Sequence, residues 1–483
     1  GQYPIFIENA KGARFTDVDG NTYIDFCLGD TGSMTGHSPD ATVAVIREQA
    51  GKGITAMLPT ADAAIVSAEL ANRFGLPLWQ FTVSATDANR HVIRYSRLLT
   101  GRSKIVVIDR CYHGSVDETF ATLDTAGNTV AREGNIGAPV ALDHTTRVVE
   151  FNDIAGMEKA LAHGDVAAIL MEPAMTNVGI VLPQAGYLEA VQELAKKCGA
   201  ILIIDETHTI SVGPGGMTAD RGLKPDFLTI GKAIGGGIPT GTFGMTQAIA
   251  DSIKKMVELE IIDTGGIGGT LAGNALSLAA MRATLTHVLT KENFDRMIDL
   301  GTRWSDGVDA AIAEFDLPWS CNRLGARGEY MFGKVAPVTG ADANNAGDFE
   351  LEQFIHYFCG DTEDEEEVKK QESKRHEFYK GVVALIRSYN NIASEMREAG
   401  YTERQEADIK HEVIEYTELR DSIKLASGDY IDLKSYEPDM RLLLDQYLAA
   451  DPSKILSSLG EQTLLDIIVQ QGIQAATEAL PVK

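Results

Sequence analysis

The sequence has few cysteines, too little positive charge to balance its acids, and no long apolar run. Its 483 residues include five cysteines, none in a CxxC pair, so we expect neither a disulfide framework nor a metal site. No apolar run approaches the length of a membrane span. Lysine and arginine number 43 against 69 acidic residues, which argues against a broad nucleic-acid-binding surface.

The start of the chain and its cysteine content indicate a cellular location. Residues Gly1–Pro4 contain neither a charged-then-apolar signal nor an initiator methionine, so we expect a chain that is truncated at its start. A few widely spaced cysteines suit a reducing compartment. The sequence therefore predicts a cytoplasmic protein.

The composition changes near residue 340. Before it, apolar β-branched runs alternate with amphipathic stretches, whereas the later residues are poor in glycine and rich in Glu, Lys, Leu and Ile at helical spacing. The stretch Pro337–Gly347 has the composition of a loop. We therefore predict one domain over residues 1–340, a junction over 341–357 and a second domain over 358–483.

The first part has the pattern of an α/β domain. Four short apolar runs bounded by turn residues predict buried parallel strands, at Lys104–Asp109, Val166–Met171, Ala200–Ile204 and Phe227–Ile230. Helical stretches such as Gly186–Cys198 lie between them. This alternation predicts a mostly parallel sheet with helices on both faces, and ligands beyond the carboxyl ends of its strands.

The second part has the pattern of an all-α domain. Glycines at 400 and 428 stand where helix ends are expected, and acidic residues outnumber basic ones, which disfavours direct contact with DNA. The predicted helices are Glu365–Ala399, Thr402–Ala426, Leu433–Leu448 and Leu456–Leu480.

Two strand ends carry residues that suit catalysis. Asp205 and Glu206 end one apolar strand, and Lys232 follows another just before a glycine-rich turn. A lysine held in place is a nucleophile toward aldehydes, and glycines let the backbone approach a planar ring. The alternatives are a structural acid in an exposed turn and a lysine on the surface, because both residue types are mostly exposed.

Two loops that follow strands carry further candidates. Ser84–Asn89 precedes a predicted helix, His91–Leu99, and could cradle a phosphate with its hydroxyls and free N–H groups. The alternative is an ordinary helix cap. The run Cys111–Gly114 brings an aromatic ring that could stack on a flat cofactor, or that simply packs in the core.

The order of these motifs is more specific than any one of them. They are S-A-T-D-A at 84–88, Y-H-G at 112–114, M-E-P at 171–173 with Asn177, I-I-D-E-T-H at 203–208, G-K-A-I-G-G-G-I-P at 231–239 and G-G-T-L-A-G-N-A-L at 268–276. This order, from about Gly12 to residue 355, resembles the class III, fold-type I aminotransferases that use pyridoxal phosphate. Within that family it looks closest to β-phenylalanine aminotransferases, and less close to glutamate-1-semialdehyde aminomutase.

The resemblance implies the catalytic roles. Lys232 matches the lysine that forms an aldimine with the cofactor and shuttles a proton. Asp205 matches the carboxylate that pairs with the protonated pyridine nitrogen. Glu172 matches the acid after the central strand, near Asp205 and the ring.

The resemblance also implies a set of cofactor contacts. Ser84, Ala85 and Thr86 match the phosphate loop, and Thr270 matches a threonine that reaches the phosphate from a neighbouring subunit, which implies a homodimer. The ring contacts are Tyr112 stacked on one face with His113 beside it, Thr207 on the opposite face, and His208 near the phenolic oxygen.

The chain departs from the family in one important respect. The arginine that binds the substrate carboxylate normally lies in the C-terminal small domain, which we do not find after about residue 355. Arg14, Arg323 and Arg327 are alternative carboxylate ligands, although arginine is more often a surface residue.

The final part resembles a different protein. The runs His356–Thr362, Phe378–Asn390, Ile423–Lys434 and Tyr436–Arg441 are similar to the C-terminal helical region of the motor subunit of type I restriction enzymes. That region is an assembly platform without nuclease or ATPase motifs. The resemblance implies a chimera and a restriction-complex partner.

The sequence favours a pyridoxal-phosphate transaminase. Such an enzyme would move an amino group from a small β- or α-amino acid donor to a 2-oxo acid acceptor, with activity impaired by the missing small domain. Two alternatives stay open. The first is a non-catalytic chimera that works through its tail, and the second is an aminomutase that uses the same cofactor.

Overall fold

A computed structural model describes residues 5–255, 266–348, 351–352, 423–424 and 430–431. Its strands are β1 Ile7–Lys11, β2 Arg14–Asp17, β3 Thr22–Ile24, β4 Leu78–Thr82, β5 Lys104–Ile108, β6 Ala121–Leu123, β7 Thr129–Ala131, β8 Thr146–Val149, β9 Val166–Met171, β10 Ile201–Asp205, β11 Phe227–Gly231, β12 Gly241–Met245, β13 Ser320–Leu324, β14 Arg327–Met331, β15 Ile423–Lys424 and β16 Tyr430–Ile431.

The α-helices of the described residues lie between and after these strands. They are α1 Asp40–Ala50, α2 Ala61–Phe74, α3 Ala85–Thr100, α4 Ile154–Leu161, α5 Tyr187–Cys198, α6 Gly216–Asp220, α7 Gln247–Lys254, α8 Ala275–Ala283, α9 Lys291–Glu314 and α10 Gly340–Asn345. In the part of the chain that these ranges cover, no helix combines the length and hydropathy needed to cross a bilayer.

A seven-stranded sheet organises the first part of the chain. Its strand order is β4–β12–β11–β10–β9–β5–β8. Neighbours from β11 to β8 are parallel, whereas β12 is antiparallel to both β11 and β4. The four predicted strands are confirmed as β5, β9, β10 and β11, and the predicted helix between β9 and β10 is confirmed as α5.

The antiparallel strand β12 is an element that the sequence pattern did not predict. It contains two glycines, which weaken a strand signal. Both are needed for packing, because a Cβ at Gly241 would come within 2.3 Å of the carbonyl carbon of Ser84, and one at Gly244 within 2.7 Å of the ring of Trp79. Gly241 thus lets the segment before α3 lie directly against the sheet.

Helices cover both faces of the sheet, as the alternation of strands and helices predicts. Side chains along β11 alternate between two apolar cores. Phe227 belongs to the core that includes α3 residues such as Val92. Leu228 and Ile230 belong to the other, which includes α2 and α8 residues. The strand that precedes Lys232 is therefore buried on both sides, which fixes the position of its carboxyl end.

Helix α3 begins earlier than predicted. The prediction starts it at His91, but Ser84 caps a helix whose first residue is Ala85, and the Ser84 Oγ accepts a hydrogen bond from the Asp87 N–H. The loop that we assigned to phosphate binding is thus the first turn of a sixteen-residue helix. Its unpaired N–H groups point toward the carboxyl edge of the sheet, where anions are stabilised.

Little of the predicted all-α part lies in the described residues. Its four described residues form the antiparallel pair β15–β16. The helix predicted over Thr402–Ala426 is therefore wrong at Ile423–Lys424, where isoleucine and tyrosine on either side of Ser427-Gly428 favour a hairpin. The other predicted helices of this part lie outside the described residues, and the boundary at 341–357 stays a prediction.

We predict that Gly241→Ala destabilises the protein by about 1–3 kcal/mol, because the new methyl group collides with the backbone of Ser84 and forces β12 and α3 apart. Urea unfolding followed by tryptophan fluorescence measures this change. Gly51→Ala is the matched control. A Cβ there meets only the Glu48 carbonyl oxygen at 3.6 Å, so a change within about 0.5 kcal/mol is expected. Equal midpoints for the two variants would contradict the packing assignment.

Candidate active site

Three adjacent strands bring the predicted catalytic residues to one edge of the sheet. Glu172 follows β9, Asp205 ends β10 and Lys232 follows β11. Because these strands are parallel neighbours, their carboxyl ends lie side by side. The structure thus places the predicted residues together at the carboxyl edge of the sheet, and their catalytic roles stay predictions.

Asp205 is buried and has three hydrogen-bond donors around its carboxylate. Its Oδ2 accepts from Asn89 Nδ2 and lies beside His113 Nδ1, both at 2.9 Å, and its Oδ1 accepts from the Thr207 N–H at 3.0 Å. Burial alone raises the pKa of Asp205, but the bond and charge of His113, with Thr207 and Asn89, lower it to about 2. Asp205 is therefore ionised in the folded protein.

His113 is the counter-charge of Asp205. Burial lowers the pKa of His113, but Cys111 and the Asp205 carboxylate reverse that effect and raise it. The other ring nitrogen, His113 Nε2, is buried without a hydrogen-bond partner among the described residues. Tyr112, next in the chain, is 43% exposed, and its ring meets Phe120 edge to face, with 6.2 Å between the centroids.

Glu172 lies close enough to this pair to interact with it electrostatically. Its Oε1 accepts a hydrogen bond of 2.5 Å from the Thr176 hydroxyl, and its Oε2 accepts from the Thr176 N–H at 3.3 Å. Burial raises the pKa of Glu172 to about 7, although His113, Thr176 and Arg327 act against it. Near neutral pH this carboxyl group is therefore partly protonated.

Lys232 is held at the mouth of the site by two side chains. Its Nζ donates to Asp30 Oδ2 at 2.5 Å and lies 2.8 Å from His208 Nε2. Its backbone has a φ of +48°, in the left-handed region that non-glycine residues rarely occupy. Asp30 also has a positive φ, of +50°. Burial raises the pKa of Asp30, but Lys232, His208 and Arg327 lower it overall.

His208 connects Lys232 to an arginine on β14. Its Nδ1 lies 3.0 Å from Arg327 Nη1 and 2.8 Å from the hydroxyl of Thr31. Burial lowers the pKa of His208 to about 4, and the charges of Lys232 and Arg327 act in the same direction. His208 is therefore neutral over the physiological pH range.

The predicted phosphate loop packs tightly against its neighbours. Thr86 Oγ1 accepts from the Ser115 N–H at 3.2 Å, and a Cβ at Gly114 would fall 1.9 Å from that same oxygen. A Cβ at Gly231 would lie 3.0 Å from the Cβ of Ala85. These glycines bring the start of α3, the Tyr112–Gly114 turn and the end of β11 together.

Not every predicted residue joins this cluster. Thr270 is exposed in the turn before α8, so its role in a neighbouring subunit, and the homodimer itself, stay predictions. Of the three candidate arginines, Arg14 and Arg323 are exposed, whereas Arg327 contacts His208. The buried Glu206, predicted beside Asp205, bonds instead to Thr209, Met217 and Thr218, which makes it a structural acid.

Asp30, Thr31 and Thr176 were missed from the sequence, and Asn89 was predicted only as part of the phosphate loop. Asn89 joins Asp205 to the Thr229 hydroxyl, which donates to Asn89 Oδ1 at 2.7 Å. Its position one helical turn after Ala85 was an available signal. Asp30, Thr31 and Thr176 gave no local signal, because their partners are distant in the chain.

We predict that Glu172→Gln stabilises the protein more at high pH than at low pH. In the unfolded chain Glu172 ionises near its ordinary pKa of 4.5, but in the folded chain only near 7, so the parent loses stability as the pH rises through that window. Relative to the parent, the variant should gain up to about 3 kcal/mol between about pH 4 and about pH 8. Urea unfolding at both pH values measures the difference.

The matched control is Glu189→Gln, the same change at an exposed position on α5, which should show no such pH-dependent gain. A Glu172→Gln gain that is equal at both pH values would contradict the assigned burial of an ionisable carboxyl group.

Comparison with known proteins places the chain in a family. The family model for class-III aminotransferases matches residues 1–318. Glutamate-1-semialdehyde 2,1-aminomutase 2 from Exiguobacterium sibiricum is 34% identical over 365 residues, which are 74% of this chain and 81% of that protein. The matches support the first part of the chain, and the restriction-subunit resemblance of the tail stays a prediction.

Solved structures agree with this result. A glutamate-1-semialdehyde aminomutase from Pseudomonas aeruginosa superposes with a TM-score of 0.73 at 49% identity, over 74% of this chain and 80% of that one. A β-phenylalanine aminotransferase from Variovorax paradoxus gives 0.64 at 26% identity, over 74% and 79%. Of these two, the aminomutase is more similar, the reverse of the order expected from the sequence. The chain belongs to the class-III aminotransferase family.

Proposed function

We propose that this protein is a pyridoxal-phosphate enzyme that moves an amino group within one small carboxylic acid, as an aminomutase does. The observation that carries the proposal is the buried Asp205 carboxylate beside a strand end that presents Lys232, in a family that uses pyridoxal phosphate. The proposal that the amino group moves within one molecule, and not between two, rests on the similarity to aminomutases.

The residues present fit this cofactor. Two buried polar atoms at the site, Thr207 Oγ1 and His113 Nε2, have no hydrogen-bond partner among the described residues. Asp205 Oδ1 accepts only one of the bonds described above, so it has lone pairs left for a further donor. The first turn of α3 offers N–H groups for a phosphate.

Each group would have a distinct task. When bound, pyridoxal phosphate supplies an aldehyde for an amine and a ring that accepts electrons from the amino-bearing carbon. Lys232 Nζ would bind the aldehyde and carry the substrate proton. Asp205, kept ionised by His113 and Asn89, would hold a proton at the pyridine nitrogen. Ser84, Ala85 and Thr86 would bind the phosphate, and Tyr112 and Thr207 would confine the ring.

Glu172 would act on this arrangement through charge. Its carboxyl group interacts with both His113 and Asp205, so its protonation changes the net charge around Asp205. A neutral Glu172 leaves the His113–Asp205 pair balanced, whereas an ionised one adds a negative charge. Glu172 would thereby tune the charge of Asp205, the group that would pair with the pyridine nitrogen.

A transaminase is the second candidate. The similarity to a β-phenylalanine aminotransferase supports it, and its chemistry would use the same residues with a separate 2-oxo acid as acceptor. The two candidates differ in one requirement. An aminomutase converts its substrate to an isomer without a second substrate, whereas a transaminase requires a 2-oxo acid that receives the amino group.

We predict that the full-length protein loaded with pyridoxal phosphate converts glutamate-1-semialdehyde to the isomeric amino ketone with no oxo acid added. Product formation followed by mass spectrometry, with and without 2-oxoglutarate, measures this. The control is Lys232→Ala, which removes the amine and should lower the turnover rate at least about 10²-fold. If turnover occurs only when 2-oxoglutarate is present, the protein is a transaminase and the aminomutase proposal is wrong. No turnover of this substrate in either condition would contradict the aminomutase proposal.

A further inference from the structure

Asn89 is completely buried, and its side chain reaches three other segments of the site. It lies on α3 with no exposed surface, as does Thr229 on β11. Its Nδ2 donates to Asp205 Oδ2 at 2.9 Å and to the His113 carbonyl oxygen at 3.1 Å. Its Oδ1 accepts from the Thr229 hydroxyl at 2.7 Å. One side chain thus joins α3 to the turn after β5, to β10 and to β11.

The neighbours of Asn89 determine how its amide is oriented. A carbonyl oxygen and an ionised carboxylate only accept hydrogen bonds, so the group that faces His113 and Asp205 must be Nδ2, which has two N–H donors. In the reverse orientation the amide oxygen would meet two acceptors. The amide oxygen therefore faces Thr229, whose hydroxyl must donate. Both N–H groups and the oxygen of the amide have partners, which fixes the orientation.

The sheet register explains why one side chain contacts both strands. β10 and β11 are parallel neighbours, and Asp205 is paired with Thr229 across them, so both side chains project to the same face. Phe227, two residues before Thr229, packs in the core that includes Val92 of α3, so α3 covers this face. Asn89 is three residues before Val92 and lies on the same side of the helix. The amide therefore points at the sheet beside the paired strand positions.

The contacts of Asp205 are unequal at its two oxygens. Oδ2 faces both Asn89 Nδ2 and His113 Nδ1, whereas Oδ1 accepts from the Thr207 N–H alone. Because an ionised carboxylate only accepts, His113 Nδ1 carries a proton here. A carboxylate oxygen has about two acceptor positions, so Oδ2 is fully used. Among the residues that the structure describes, the acceptor position that is left lies on Oδ1.

We propose that Asn89 is a positioning residue that directs Asp205 Oδ1 to the ring nitrogen of pyridoxal phosphate. Asn89 and His113 together occupy Oδ2, so Oδ1 is the oxygen left to accept from the protonated ring nitrogen. The amide also stabilises the negative charge that this pairing needs. The inference rests on the proposed function, because it needs pyridoxal phosphate as the cofactor, but it is the same for an aminomutase and a transaminase.

Loss of this amide has a specific consequence. Without Asn89, each oxygen of Asp205 keeps one donor, so the two become alike, and the buried charge loses one of its three donors. The ring nitrogen should then be held less strongly. The aldehyde and phosphate contacts are assigned to Lys232 and the start of α3, so they do not depend on the ring nitrogen.

The test compares two compounds that differ only at the ring nitrogen. The full chain is dialysed to equilibrium against pyridoxal phosphate and, separately, against deaza-pyridoxal phosphate, in which a C–H group replaces that nitrogen. The ratio of the two dissociation constants isolates the contribution of the nitrogen. We expect the parent to bind pyridoxal phosphate at least about tenfold more tightly than the analogue. In Asn89→Leu, which has a similar size and no donor, this preference should fall below about threefold.

Two control variants separate the donor from the packing around it. Thr229→Val removes a hydroxyl from the same buried network but no donor of Asp205, so it should leave the ratio unchanged. Asn345→Leu is the matched control, the same change at an exposed position of α10, and should also leave the ratio unchanged. Should Asn89→Leu fail to fold, Asn89→Met takes its place, because its flexible side chain also lacks a donor.

Two results would overturn the proposal alone. The first is a parent ratio that Asn89→Leu retains, even if that variant binds both compounds more weakly, because an equal loss indicates a purely structural role. The second is a ratio that falls as far in Thr229→Val, because the preference would then depend on the network as a whole. A parent that binds neither compound, or binds both equally, would contradict the pairing of Asp205 with the ring nitrogen, and so the proposed function as well.

Discussion

The site is organised around a charge that has to remain ionised inside the protein. An isolated buried carboxylate is strongly destabilising, so Asp205 requires donors close to it. Asn89 donates from α3, His113 lies in the turn after β5, and the Thr207 N–H donates from the turn after β10. Each donor fixes one element relative to the end of β10. The sheet edge, the start of α3 and the Tyr112–Gly114 turn are thereby held in register with one another.

Close backbone packing also holds the segments of the site together. Gly114, Gly231 and Gly241 are the positions where a side chain would collide with Thr86, Ala85 or Ser84. The first turn of α3 can therefore lie directly against the ends of β11 and β12. As a consequence, the first turn of α3 lies beside the strand end that precedes Lys232. The backbone is strained at Lys232, Asp30 and Thr31, which all have a positive φ.

The sequence allowed the strand ends to be found, but not the contacts between distant segments. The apolar runs before Asp205 and Lys232 have no competing helical pattern, and their ends carry the polar residues, so both were predictable. Asp30 lies 202 positions before its partner Lys232, and Thr31 lies 177 before His208, so no local pattern could pair them. From the sequence, Arg14, Arg323 and Arg327 were equivalent candidates for a carboxylate ligand. Only the contact of Arg327 with His208 distinguishes it from the other two, which are exposed.

If Lys232 binds the aldehyde of pyridoxal phosphate, chemical reduction will trap the cofactor on that residue. The full chain would be incubated with pyridoxal phosphate, reduced with borohydride and digested, and the site of the added group would be mapped by peptide mass spectrometry. We expect one dominant modified residue, Lys232, and we expect the modification to be lost in Lys232→Ala. A modification spread over exposed lysines, or unchanged in that variant, would contradict it.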